Sequence, residues 1–211
     1  MGIPKRALKR YIPTDAVIVE AGAHHGIDTV QLARLWPEGQ IHAFEPVPHV
    51  YEHLQRNTIR YRNVKTYQLA LGDRDAAMPM WLSDTKHDYS SSLLEPRKHL
   101  GEFPEIAFEE TTSVQVTTLE SWAEREGIDR IDGMWLDMQG YELAALKAAN
   151  PILQTTRAII MEVLATELYA GVPLWPEVQA WLEGQGFRIE QQHWYRQSYG
   201  DVLAARADRR T

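Results

Sequence analysis

The stretch that most constrains this chain is Val17-Ile18-Val19-Glu20, a β-branched run that passes through Ala21-Gly22-Ala23-His24-His25-Gly26 into an apolar-periodic segment ending at Trp36. Strand, glycine-rich turn and helix in that order form the opening unit of an α/β sheet. Small residues at 21 to 23, with Gly26, allow a tight turn and close approach of a ligand to backbone amides. Glu20 closes the strand. An acid there suits a ligand that carries an amino group and repels the pyrophosphate of a dinucleotide.

The same alternation continues. Ile41 to Phe44 reads as a second strand, and Val47, Val50, Tyr51 and Leu54 recur at helical spacing behind it. Val64 to Leu71 is expected as a third strand ending at Gly72-Asp73, with Met78 to Leu82 an extra strand or hairpin arm. Residues 84 to 112 show no sustained period and predict a long loop or lid. Thr117 and Glu120 have capping-box spacing ahead of a helix that Gly127 ends. Ile131 to Met138 and Ala158 to Val163 read as central strands separated by a helix from Tyr141 to Ala149. A helix around Val178, Trp181 and Leu182 precedes a closing hairpin, Phe187 to Trp194 with Asp201 to Arg206. With a short capping helix in residues 1 to 15, the reading is one α/β domain over 1 to 211, a mostly parallel sheet with helices on both faces and a C-terminal antiparallel hairpin. Ligands then belong at the carboxyl ends of the strands.

Four positions there carry chemistry. Besides the turn itself, Glu45 in His42-Ala43-Phe44-Glu45-Pro46-Val47-Pro48 follows the second strand, 25 residues after Glu20, where an acid grips the two hydroxyls of an adenosine ribose. NAD-binding domains use the same device, so Glu45 alone does not say which adenosine cofactor is bound. Asp73 is placed to accept from the exocyclic amine of adenine while the backbone near Leu71 and Gly72 packs on the ring. In Trp135-Leu136-Asp137-Met138-Gln139-Gly140-Tyr141-Glu142, Asp137 stands at the tip of a central strand, positioned to orient an acceptor hydroxyl and take its proton, or to cap the next helix. Glu162, ending the following strand, is expected beside it. Two acids there could hold a divalent cation, but no histidine has ligand spacing and no metal site is assigned. His24 and His25 shape the turn or contact the cofactor, His87 and His99 fall in the lid, Ser90 to Ser92 offer hydroxyls, and Trp135 and Trp175 are candidate pocket walls.

Charge and composition bound the rest. A net charge of −7 lacks the basic field that draws proteins to nucleic acid or anionic lipid. Zero cysteines exclude disulfides, thiolate-zinc sites and a thiol nucleophile, and fit a reducing cytosol. No apolar stretch follows Lys5, Arg6, Lys9 and Arg10, and none is long enough for a membrane span, so a cytoplasmic location is expected.

In sequence these motifs resemble the FkbM-type methyltransferases, from residues 20 to 29 through AFEPVP, LALGD, SSSLLEP, VTTLESW, IDGMWLDMQGYELAALKA and AIIMEV to GDVLAAR. The resemblance implies a Rossmann-like class I methyltransferase fold, S-adenosyl-L-methionine as donor, and O-methylation of a hydroxyl on a sugar or natural-product acceptor. It places the family's first acid on Glu20, its ribose acid on Glu45, and its D-x-x-G-x-E segment on Asp137, Gly140 and Glu142. One departure is His24, where many members carry Asn. The expected cofactor set is therefore Glu20, Gly22, Ala23, His24, Gly26, Glu45, Pro46, Leu71, Gly72, Asp73 and Asp137, with Asp137 and Glu162 catalytic. An NAD-dependent oxidoreductase or epimerase shares the β-α-β start but has no G-x-G-x-x-G to rest on here. A non-catalytic nucleotide-binding relative would bind cofactor without turnover.

Overall fold

The computed structural model describes residues 2–84, 86 and 88–206, so His87 and both ends of the expected domain lie outside the described residues. After a 3-10 helix, Lys5–Arg10, come β1 (Val17–Ala21), α1 (Ile27–Leu35), β2 (Gln40–Phe44), α2 (Pro48–Thr58), β3 (Val64–Tyr67), β4 (Ala70–Leu71) and β5 (Ala76–Ser83). The second half runs α3 (His99–Glu102), β6 (Phe108–Thr117), α4 (Leu119–Glu126), β7 (Gly133–Leu136), α5 (Glu142–Lys147), β8 (Ala158–Leu164), α6 (Trp175–Gly184), β9 (Phe187–Trp194) and β10 (Tyr199–Arg206). Seven strands form one sheet in the order β3-β2-β1-β7-β8-β10-β9, parallel except for β10, which runs antiparallel to both neighbours. The order reverses between β1 and β7, which opens a crevice at their carboxyl ends.

Side-chain alternation decides which face each strand residue covers. Val19, Met134, Leu136, Ile159, Met161, Val202 and Ala204 pack with Trp122 of α4, Leu143 and Leu146 of α5, and Val178 and Leu182 of α6. Ile18, Ile41, Ala158, Ile160, Leu203 and Ala205 turn the other way, onto Leu8, Tyr11, Leu32 and Trp36 of the N-terminal helix and α1. Strands buried on both faces need apolar residues at every position, which is why β1, β7 and β8 read as continuous runs. The exceptions are polar and share a face: Glu20, Asp137, Glu162 and Asp201 have the parity of the α1 face and cluster toward the crevice.

Three expectations change. The stretch from Val64 to Leu71 is two strands in two sheets, because Ala70–Leu71 leaves the main sheet to pair with β6. The irregular segment stops short of residue 112, since β6 begins at Phe108 and pairs antiparallel along β5. Its polar run through Ser113 hid the alternation that buries Val114 and Val116, and its partner is distant in sequence. The cap of α4 is Thr118, whose hydroxyl oxygen accepts from the amide of Ser121; the hydroxyl of Thr117 donates instead to Asp75, and Glu120 accepts from the amide of Ile152. Gly127 ends that helix in the left-handed region, as expected. Thr118→Ala should therefore lower unfolding free energy by about 1 kcal/mol in urea denaturation, and an unchanged midpoint would contradict this cap.

Candidate active site

Two cavities meet at the crevice. The smaller, about 290 Å³, is lined by Gly22, Ala23, His24, Glu45 and Pro46 from the turns after β1 and β2, by Leu69, Ala70 and Leu71, and by Tyr141. The larger, about 940 Å³, lies on the α1 face among Trp135, Glu162, His99, Tyr195, Tyr199 and Asp201. Asp28, Tyr89, Asp137 and Gln139 line both.

The turn is built against the neighbouring strands. Gly22 has φ +78°, and a Cβ there would overlap the carbonyl oxygen of Asp137, so glycine is required for the close approach of the two strand ends. The amides of Gly22 and Ala23 donate to the carbonyl of Phe44 at 3.1 and 2.9 Å, and that of His24 donates to Glu45 Oε2 at 3.0 Å. These amides are thus taken up within the protein, and the turn presents side chains and a carboxylate to the cavity. Glu45 Oε1 accepts from the amide of Val47 at 2.8 Å. Each oxygen keeps a further lone pair, so the fixed carboxylate can still accept from a diol. Burial pushes its pKa up to about 7 against the lowering effect of the Val47 and His24 amides.

Not every expected cofactor residue lines the smaller cavity. Glu20 is fully buried beneath the turn, its polar neighbours being Thr29, Asp28 and Lys5, and neither carboxylate oxygen has a hydrogen-bond partner among the described residues. Strand parity turns it under α1. Gly26 packs on Leu54 and Thr58. Gly72 fits against Val116 and Tyr141, and Asp73 stands outside, accepting from the Tyr141 hydroxyl at 3.1 Å. None of these four positions lines the smaller cavity.

At the junction, carboxylate atoms of Asp137, Glu142 and Glu162 lie within 4.8 Å of one another. The helix-capping role considered for Asp137 is not used: Glu142 accepts from the amides of Met138 and Gly140, at 2.6 and 3.4 Å. Asp137 keeps exposed surface and lines both cavities, and the protein around it pushes its pKa up to about 6, opposed first by a hydrogen bond from Gln139. Burial and then the charge of Asp137 push Glu162 well above the carboxylate range. Burial also pushes Glu142 up to about 7. Three crowded acids of this kind hold shared protons at neutral pH.

The segment after β5 closes over the smaller cavity. His24 Nε2 and His25 Nε2 stand 2.7 and 3.1 Å from the two oxygens of Asp88, with the rings stacked at 3.9 Å. Sequence spacing concealed this group because Asp88 is 64 residues from His24. Ser92 donates to the carbonyl of Gln139, Ser91 lines the smaller cavity and Ser90 the larger. Trp135 walls the larger cavity under the ammonium of Lys5, 3.7 Å from its ring, whereas Trp175 borders a separate open groove with Trp194. Sequence reading passed over Gln139, Tyr169, Asp28 and Asp201. Of these, only Gln139, inside the 135 to 142 motif, carried a local signal.

A mostly parallel seven-stranded sheet closed by an antiparallel hairpin, with two cavities meeting at the carboxyl ends of its central strands, has the architecture of a class I S-adenosylmethionine-dependent methyltransferase. The FkbM methyltransferase domain model matches residues 20–189, and the chain belongs to that family. It is 30% identical over 162 residues to the 2-O-methyltransferase NoeI of Sinorhizobium fredii (strain NBRC 101917 / NGR234), covering 74% of this chain and 67% of that one. Methyltransferase sdnD of Sordaria araneosa is 24% identical over 222 residues, covering 93% and 84%. Among solved structures, the N-terminal domain of EvdMO1 in the presence of SAH and D-fucose aligns with a TM-score of 0.54 at 14% identity, covering 96% and 80%. Aeropyrum pernix fibrillarin with natively bound S-adenosyl-L-methionine aligns at 0.52 and 15% identity, covering 90% and 66%. S-adenosylmethionine is the cofactor, and the oxidoreductase alternative falls away. No helix among the described residues is long and apolar enough to cross a membrane.

Glu20 gives a stability test. Burial pushes its pKa from 4.5 up to about 8. Between those values the unfolded chain releases a proton that the folded one keeps, so this residue's contribution to stability falls as pH rises, by up to about 1.4 kcal/mol per unit. Glu20→Gln should leave Tm near wild type at pH 5 and raise it relative to wild type at pH 8. An identical Tm difference at both values would contradict the buried, protonated carboxyl.

Proposed function

We propose that this enzyme methylates a hydroxyl oxygen of a carbohydrate or related small natural product held in the larger cavity, and does so in the cytoplasm. The observation that carries the reading is Asp137, a carboxylate at the tip of β7 in the wall that both cavities share. Its pKa near 6 suits a base at neutral pH: it is largely ionised there, yet basic enough to take the proton of an alcohol as the oxygen attacks. A cavity of about 940 Å³ has the size of a small-molecule site. NoeI, named a 2-O-methyltransferase, and EvdMO1, solved with D-fucose, support an oxygen acceptor of sugar type.

Bound S-adenosylmethionine supplies the electrophilic methyl group. The buried Glu45 carboxylate, fixed by two amides, receives the ribose hydroxyls, while Leu71, Ala70 and Tyr141 present an apolar wall to adenine. Asp137 aligns the acceptor hydroxyl and holds its proton, and Glu162 receives the other acceptor hydroxyls in its protonated form. The segment carrying Asp88 to Ser92 acts as the lid that excludes water.

Calorimetric titration should show micromolar binding of S-adenosylhomocysteine and none of NAD; the reverse would overturn the reading. Glu45→Ala should weaken S-adenosylhomocysteine by about tenfold or more, the size of lost hydrogen bonds to a charged group, and unchanged affinity would remove Glu45 from the ribose. With an acceptor drawn from a panel of hydroxylated sugars, Asp137→Asn should lower kcat by roughly 100-fold and leave cofactor affinity within a few-fold. The wild-type rate should fall as pH drops through about 6, because the base must be unprotonated. A rate that is flat across that range would exclude Asp137 as the base.

A further inference from the structure

Gln139 occupies a backbone conformation that a side-chain-bearing residue seldom adopts, with φ +53°, directly before Gly140 at φ +99°. Left-handed backbone costs a residue with a Cβ about 1 kcal/mol, so its presence asks for a compensating contact. The side chain supplies several. Nε2 donates to Asp137 Oδ1 at 2.7 Å and reaches Glu162 Oε2 at 3.4 Å. At the other end of the amide, Oε1 lies 2.9 Å from the hydroxyl of Tyr169, a side chain with no exposed surface, whose single proton is shared between Oε1 and the carbonyl of Ser90 at 3.0 Å. The main-chain carbonyl accepts from Ser92 at 2.8 Å. With Tyr169 at its oxygen end, the amide presents N–H to the two carboxylates that face both cavities.

We propose that Gln139 is the positioning residue of the site: it holds Asp137 by Oδ1, leaves Oδ2 for the acceptor hydroxyl, and makes Asp137 rather than Glu162 the ionised member of the pair. The proposal rests on the assignment of Asp137 as the base. The groups around that carboxylate explain why an amide is needed. Glu142, Glu162 of β8, Asp201 of β10 and Asp28 of α1 are all acids, and Tyr169 and Tyr195 offer only weakly acidic hydroxyls. The nearby cation, Lys5, is engaged by Asp28 at 2.7 Å. Among the described residues no cation touches Asp137, so a neutral donor at 2.7 Å is what stabilises its anion. Glu162 receives only the longer contact and keeps the proton.

The test is a carbon-13 carboxyl titration of the whole protein saturated with S-adenosylhomocysteine, following Asp137 and Glu162 in wild type, Gln139→Leu, Gln139→Gly and Tyr169→Phe. Glycine accepts the left-handed backbone without strain, so at least one Gln139 variant keeps the fold. In wild type the Asp137 signal should follow the lower of the two coupled steps. Either Gln139 variant should raise that step by about one unit, the size of a lost hydrogen bond to a charged group. It should also shift a larger share of the step onto Glu162. Tyr169→Phe, which leaves Asp137 untouched but frees the amide, should move it the same way by less. An Asp137 titration unchanged to within about 0.2 unit in both Gln139 variants would overturn the proposal, even if cofactor affinity or Tm fell. The pH profile of the wild-type rate separates the two readings, because a rate flat through pH about 6 removes Asp137 as the base while the titration still reports whether Gln139 holds its carboxylate.

Discussion

The contact on which the rest depends is the seam between β1 and β7. Asp137 donates its amide to the carbonyl of Ala21 at 2.9 Å while its own carbonyl presses on Gly22. Through that seam the turn after β1 and the tip of β7 are parts of one rigid object, and a side chain at position 22 would push them apart. Register does the remainder: Ala21 pairs with Phe44 on one side and Leu136 on the other, so the residues that follow, Gly22, Glu45 and Asp137, emerge together at one edge of the sheet. The reversal of strand order at this point opens the space they line.

A second constraint is the gathering of acids on one face of the sheet. Glu20, Asp137, Glu162 and Asp201 share the parity of Ile18, Ile160 and Leu203, which pack under α1 and the N-terminal helix. Where that apolar layer ends, the same face continues as the floor of the larger cavity. Removing carboxylates from bulk water raises their affinity for protons and crowding raises it further, which brings the reacting group toward neutrality. Such an arrangement opposes folding, and the continuous apolar packing on the opposite face, around Trp122, Leu143, Leu146 and Leu182, offsets it.

Much of this was legible in the sequence, for identifiable reasons. The β-α-β start, the central strands and the closing hairpin each carried periodicity that local physics reads, and Glu45, Asp137 and Glu162, singled out because ligands collect at strand ends, line the two cavities. Contacts between distant segments were not legible. Nothing near Asp88 announces that it meets His24 and His25, and nothing in Thr-Glu-Leu-Tyr marks Tyr169 as the partner of Gln139. Glu20 shows a different limit: its position in the motif was clear, but the direction of its side chain follows from strand parity, which puts it under α1. β6 was obscured because Thr111, Ser113 and Gln115 face solvent and its partner strand supplies the order.

The most direct measurement of the central claim, that cofactor and acceptor meet across Asp137 and Gln139, is a crystal structure of the complex with S-adenosylhomocysteine. The account predicts the adenosine in the smaller cavity with its ribose hydroxyls on Glu45, and the sulfur at the opening into the larger cavity, facing Asp137. A complex with the nucleoside elsewhere, or with the sulfur walled off from the larger cavity, would contradict it.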